Sequence, residues 1–377
     1  MGKRIFISNC EGTITKNNNT LDLMKHYVPE GDRVLDVINN YCQINERFTH
    51  KKDVRTAHPL KLVLPFLLAF DANNKGVEDF SCESLVLNNY CSKVLSYIKG
   101  ISDAFIFSTS YEHHLRAICK ETGFPLENTI STKVNLDKFT LSEKEITKLK
   151  SIAWEIGGMT PIKIPSNATS IKEFSAQDQE TMKRLDKLFW GEVAKNNCKR
   201  IFSDVHVVTE ADKLNTVKNI STSLSSKFAE FMYVGSTSTD VAPMKLLHQN
   251  GGFVVSLVGE PDTVRNSGIA ILSDDYVAIG VFADLFLRFG QAEAGRLAGN
   301  FDRNTLWMSS VEPTMLNQVT NLDTKSWPKV LAVSEFSVEA VVGKVEEYKK
   351  LAQKKALSPL VDQSLPVKKT AVKKKKK

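Results

Sequence analysis

The sequence predicts an α/β fold built on a mostly parallel sheet. Three observations lead there. Short apolar runs recur, and each closes in a polar turn: residues 4–8 before Asn9-Cys10-Glu11-Gly12, 104–107 before Ser108-Thr109-Ser110, and 231–234 before Gly235-Ser236-Thr237. Amphipathic helical patterns separate these runs, as in alternating strand–helix folds. The composition is globular, 42% hydrophobic and 25% charged over 377 residues, which is long enough for two or three domains and a sizeable core.

The elements follow in order. Residues 4–8, Arg-Ile-Phe-Ile-Ser, read as a buried strand entering the turn Glu11-Gly12-Thr13. Residues 20–98 are mostly helical: Leu21, Met24 and Val28, then Val34, Leu35 and Ile38, then Leu85, Val86, Asn89, Val94, Leu95 and Ile98 recur at helical spacing. Residues 60–70 read as a buried helix disturbed at Pro65. A second strand covers 104–107, and a helix over 111–122 stops at Gly123 and Pro125. Within 126–200 one helix starts near Thr140 and an amphipathic one spans 177–194. A third strand is expected at 205–208, and Lys213 opens a helix to about 220. The strand over 231–234 leads to a helix over 241–249, closed by Asn250-Gly251-Gly252. A strand over 253–257, a short element near 270–272 and one long helix over 277–298 come next. Residues 300–356 add further helices, and from Ser358 the chain turns Pro-, Ser- and Lys-rich, the pattern of a disordered tail.

Charge and cysteine usage exclude several classes. The net charge is +7, and the seven lysines between Lys368 and Lys377 account for all of it. The body is therefore not a basic nucleic-acid surface. The tail suits either salt-sensitive contact with a polyanion or simple solubility, and without interleaved aromatics it implies no base stacking. The six cysteines have no CxxC spacing and read as reduced thiols, and the seven histidines form no HExxH or zinc-type cluster. Residues 1–12 do not read as a signal peptide, and the apolar stretch 60–70 is short of the roughly 20 residues of a membrane span. The expectation is a cytoplasmic protein without a membrane partner.

In parallel sheets ligands gather at the carboxyl ends of the strands. That edge would collect Asn9 and Glu11, Ser108 and Thr109, and Ser236 with Asp240, next to Lys213. In order and spacing these segments resemble the haloacid dehalogenase (HAD) superfamily of phosphohydrolases. Its motifs are a strand with Asp-x-Asp-Gly-Thr, a strand ending in Ser or Thr, a Lys, and a strand ending in Gly-Asp-x-x-x-Asp. The likeness covers about residues 1–15, 101–123 and 200–285. The Cys10-Glu11-Gly12 variant and the run Lys16-Asn17-Asn18-Asn19 look most like an archaeal branch named for subunit R of an energy-converting hydrogenase.

The resemblance implies a Rossmann-like HAD core of three layers from 1–15, 101–123 and 200–290. It implies a helical cap insert over 16–100, a second over 124–199, added helices over 291–357 and the tail over 358–377. It also implies roles. Asn9 stands where an Asp would attack phosphorus, and an amide oxygen is a poor nucleophile that brings no charge to a metal. Glu11 stands at the acid/base position. Ser108 and Thr109 match the phosphate-binding hydroxyl, and Lys213 the phosphate-binding lysine, with Lys218 as the alternative. Ser236 replaces one metal-binding carboxylate and Asp240 remains.

Both replacements delete a carboxylate that Mg²⁺ would need. The expected protein is a HAD-like phosphate binder with impaired hydrolysis, a pseudo-phosphatase that binds a phosphorylated small molecule or a protein partner and uses no cofactor. One alternative is an active Mg²⁺-dependent phosphomonoesterase, with Glu11 and Asp240 holding the metal. Another is a nucleic-acid-associated protein tethered by its lysine tail. Cys10 should face away from the site by strand alternation. His113 and His114 read as solvated or capping residues, His206 as a strand residue, and Trp154, Trp190, Trp307 and Trp327 as packing residues.

Overall fold

Seven strands form one sheet among the described residues, 3–49, 58–195 and 197–357 of the computed structural model. They are β1 (Ile5–Asn9), β2 (Asp103–Tyr111), β3 (Thr129–Thr132), β4 (Phe231–Gly235), β5 (Phe253–Leu257), β6 (Ile269–Leu272) and β7 (Lys329–Ala332). Their spatial order is β3-β2-β1-β4-β5-β6-β7, parallel throughout except for β7, which pairs antiparallel with β6. The expected α/β architecture is present. The lysine tail, 358–377, lies outside the described residues.

Strand alternation divides the core. Phe6, Ile106, Met232, Val234 and Val255 face helices Cys91–Ile101, Glu112–Thr122 and Val277–Phe289. Ile5, Ile7, Phe107, Tyr233 and Val254 face helices Glu210–Ser223 and Val241–Gln249. The result is three layers, with β1 in the interior of the sheet and all five of its residues buried. Cys10 sits in the first of these clusters, on the side that alternation predicts.

Several elements differ from the sequence reading, each for a local reason. The segment 205–208 is extended but joins no strand ladder, and its Val208 N–H donates to the Thr132 hydroxyl at 3.1 Å. The edge beside β2 is taken instead by β3, which follows its crossover helix Glu112–Thr122 after a short turn. β7 was not expected; it closes the far edge through four paired residues. The helix expected over 60–70 is two, Pro59–Leu62 and Leu64–Ala69, each with a proline in its first turn, where a missing N–H costs nothing. The one expected over 177–194 runs Ala176–Asp186 and loosens into a π-turn over Lys187–Glu192. Helix Glu210–Ser223 starts earlier than expected, at a capping box of Thr209 and Asp212, so Lys213 lies inside its first turn.

The segments inserted between strands come together. Residues of 23–77 and 134–207 share one hydrophobic cluster, in which Val34, Ile38 and Tyr41 meet Ile152 and Ile156. Tyr41 donates to Asp186 at 2.7 Å and accepts from Trp190 at 2.9 Å. The helix Cys91–Ile101 packs on the sheet instead, and Thr129–Thr132 is part of it, although the sequence reading placed both within inserts. Trp190 and Trp327 are packed, but Trp154 and Trp307 are 57% and 59% exposed, which corrects their expected role. His206 lies outside any strand and meets Asp212 at 2.9 Å. No helix among the described residues is long and apolar enough to cross a membrane.

The long helix expected over 277–298 is broken. Val277–Phe289 ends at Gly290, and Gln291–Gly299 begins after it. Gly290 has φ 96° and ψ −174°, a region open essentially to glycine alone. A Cβ there would lie 2.9 Å from the Arg4 guanidinium, which donates to the Leu287 carbonyl at 3.0 Å and caps the first helix. Gly290→Ala should therefore destabilise the fold by about 1–3 kcal/mol, read as a lower urea midpoint.

Candidate functional site

The site lies where β1, β2 and β4 end side by side. β1 delivers Asn9, fully buried, and then turns through Gly12, at φ 75°. A Cβ on Gly12 would approach Ser236 Oγ to 3.2 Å, so the glycine serves both the turn and the close passage of β4's end.

The Asn9 side chain is held from both sides. Lys213 Nζ donates to its Oδ1 at 2.9 Å. Its Nδ2 donates to the Glu11 carbonyl at 2.8 Å and to Ser236 Oγ at 3.2 Å. Ser236 Oγ in turn donates to the same Glu11 carbonyl at 2.7 Å. An ammonium can only donate and a carbonyl can only accept, so this network sets which way the amide points. The expected pairing of Asn9 with Ser236 is thus direct.

Lys213 and Asp240 are both fully buried and meet at 2.8 Å. The ammonium has three protons, and all three are used: on Asn9 Oδ1, on Thr239 Oγ1 at 2.9 Å and on Asp240 Oδ1. Asp240 is equally committed. Oδ1 also accepts from Tyr233 OH at 2.9 Å, and Oδ2 accepts from the N–H groups of Ser236 and Thr237 at 3.0 Å and from Thr237 Oγ1 at 3.1 Å. Burial, together with Asp240, pushes the Tyr233 phenol well up, so it stays a donor. Lys213, expected to meet a phosphate, here gives all its protons to protein acceptors.

Glu11 is tethered through one oxygen, while its Oε2 is buried and has no partner. Its Oε1 accepts from Ser108 Oγ, from Thr109 N–H at 3.2 Å, from Ser110 N–H at 3.1 Å and from Ser110 Oγ at 2.9 Å. These donors are available because the β2–β3 register shifts between Phe107 and Tyr111, which releases the intervening N–H groups from the ladder. The turn has the chemistry of an anion nest, and the chain's own carboxylate fills it. Ser110 was missed, although it belongs to the Ser-Thr-Ser run quoted from the sequence. Tyr233 and Thr239, the partners that close the Lys213–Asp240 pair, gave no signal of their own.

These residues do not fit Mg²⁺. Among the described residues no three His, Cys, Asp or Glu side chains group at ligand spacing. More tellingly, the oxygens that face one another here, the Glu11 carbonyl and Ser236 Oγ, already receive the Asn9 NH₂. An amide donor stands where a hard cation would need anionic oxygen.

A cavity of about 460 Å³ opens beside this network. Its floor is Glu11, Thr109, Ser110, Ser236 and Thr237, and its walls come from elsewhere: Asn17–Asn19, Asn39, His58 and His114, and Lys349 of the last helix. His113 and His114 are not solvated, as the sequence suggested, but 4% and 1% exposed. Burial pushes His58 and His114 down to about 4 and lowers His113 as well. The cavity is therefore lined by neutral imidazoles at pH 7.

Two outcomes follow. Lys213→Met should cost about 3–5 kcal/mol in urea unfolding, because it strands Asp240 as a buried, uncompensated charge. Stability should also fall as pH drops from about 6.5 to 4. In that window the unfolded chain binds histidine protons that the folded chain refuses, and each fully buried histidine contributes up to about 1.4 kcal/mol per pH unit. His114→Gln should flatten that slope in urea midpoints measured across pH.

No family model matches the sequence, and no curated protein matches it. Solved structures do. The gene product AF1437 from Archaeoglobus fulgidus superposes with a TM-score of 0.71 over 94% of this chain and 98% of its own, at 17% identity. A phosphoserine phosphatase in apo form aligns with 74% of this chain and 97% of its own, at 11% identity and a TM-score of 0.41. A HAD family hydrolase from Salmonella enterica aligns with 68% of this chain and 62% of its own, at 8% identity and a TM-score of 0.38. At those two scores neither enzyme informs the site. The first likeness, at 17% identity, is one of fold: an α/β Rossmann-like chain with the same overall course.

Proposed function

We propose that the chain is a HAD-like binding protein for a phosphorylated or otherwise anionic small molecule, without covalent phosphoryl transfer. The observation that carries this reading is the Asn9 amide, hydrogen-bonded to Lys213 on one side and to Glu11 and Ser236 on the other. A nucleophile at this place must be an anion free to attack, and a neutral amide engaged at both ends is neither. At the acid/base position Glu11 Oε1 carries four donors, and Oε2 carries none.

The order of the HAD-like segments supports the superfamily assignment, and their convergence on one edge agrees with it. The narrower likeness to the archaeal branch rests on Cys10-Glu11-Gly12 and the asparagine run alone. A ligand instead of a protein partner is favoured by the cavity, whose 460 Å³ suits a small molecule.

The test is turnover of a panel of phosphomonoesters with Mg²⁺, by the natural protein and by an Asn9→Asp/Ser236→Asp variant. The natural protein should be silent. The variant, with two carboxylates facing the Glu11 carbonyl, should bind Mg²⁺ by calorimetry. Hydrolysis by the natural protein, lost in Glu11→Ala, would overturn the reading and restore an active phosphomonoesterase.

A further inference from the structure

We propose that the anionic group of the ligand is held by Lys16 and Lys349 at the cavity, and not by Lys213. The proposal rests on the reading above, that the cavity takes an anionic small molecule.

Lys213 has no proton left to offer, has no exposed surface and does not line the cavity. The two histidines of the wall are neutral at pH 7. Glu11 Oε1 is held by the Ser108–Ser110 turn. The cations that remain on the cavity wall are Lys16, in the loop after β1, and Lys349, in helix Val338–Leu357. Neither enters an ion pair within 4.0 Å among the described residues.

Lys349 is placed by a well-anchored element. Val341, Val342 and Val345 pack on Val264, Ala270 and Leu272. Arg265 holds Glu339 through two bonds, at 2.9 and 3.0 Å, and Tyr348 OH donates to Asp274 at 2.8 Å. The lysine follows Val345 by one helical turn, so its stem leaves the packed face and its head reaches the cavity. It is half-buried, and loss of water lowers its proton affinity, with Glu260 and Glu346 acting in the opposite direction. A half-desolvated ammonium with carboxylates nearby but none in a direct ion pair gains more from an anion than a surface lysine does. Glu260 and Glu11, both on the cavity lining, are the groups an incoming anion must tolerate.

Calorimetry of the full chain with inorganic phosphate and with glycerol phosphate tests this. Lys349→Met should weaken binding about tenfold or more, the scale of one charge-assisted hydrogen bond. Lys349→Arg should restore most of it, Glu260→Gln should tighten it, and Lys350→Met, an exposed neighbour on the same helix, should leave it unchanged. Equal binding by Lys349→Met and the natural chain would overturn the lysine assignment and leave the anion reading standing. An equal loss in Lys350→Met would overturn it too, by making the effect one of bulk charge. No binding by the natural chain at millimolar phosphate would overturn the anion reading itself, and this assignment with it.

Discussion

The Asn9 side-chain amide joins the ends of β1 and β4 to the helix Glu210–Ser223. Its oxygen faces the Lys213 ammonium and its nitrogen faces the Glu11 carbonyl and the Ser236 hydroxyl. Few side chains can do this, since it needs an acceptor and a donor on one rigid head. An aspartate there would turn a second oxygen on the Glu11 carbonyl and would call for a cation between them. Asparagine and serine at these two places are therefore one chemical decision. Behind them lies the buried Lys213–Asp240 pair, tolerable in low dielectric only because every remaining proton and lone pair on it is occupied.

The same closure explains the second unusual feature. The bulged end of β2 presents hydroxyls and N–H groups that need an acceptor and would be costly to leave unpaired. Glu11 satisfies them from the adjacent strand end. The sheet edge thus satisfies most of its own polar groups, with Glu11 Oε2 left over. What it offers a ligand is a polar floor, and charge must come from outside the sheet.

That charge arrives on parts of the chain added to the sheet. The insert helices supply asparagines and a histidine, and the last helix supplies Lys349. One shared hydrophobic cluster makes 23–77 and 134–207 a single wall, although 56 intervening positions and two strands separate them along the chain. Such a wall can differ between proteins with the same sheet, because it contributes contacts without carrying the sheet's hydrogen bonds.

The sequence by itself determined the strands that end at the site and the residues they carry. Period-two burial and the polar turns are local signals, so β1, β2, β4 and β5 were legible, and with them Asn9, Glu11, Ser108, Thr109, Ser236 and Asp240. It did not determine which edge strand pairs with β2, because the Val-rich 205–208 and the Thr-rich 129–132 have similar strand propensity and only the connection decides between them. Nor could it show the break at Gly290, which depends on Arg4, nearly three hundred residues away. Above all, tertiary structure decided what the site residues do. The sequence offered Lys213 as a ligand contact and could not show the three acceptors that close on it, and Lys349 had no signal until a packed helix carried it to the cavity. A residue's type is local, but its free valences are counted only after the whole chain has folded around it.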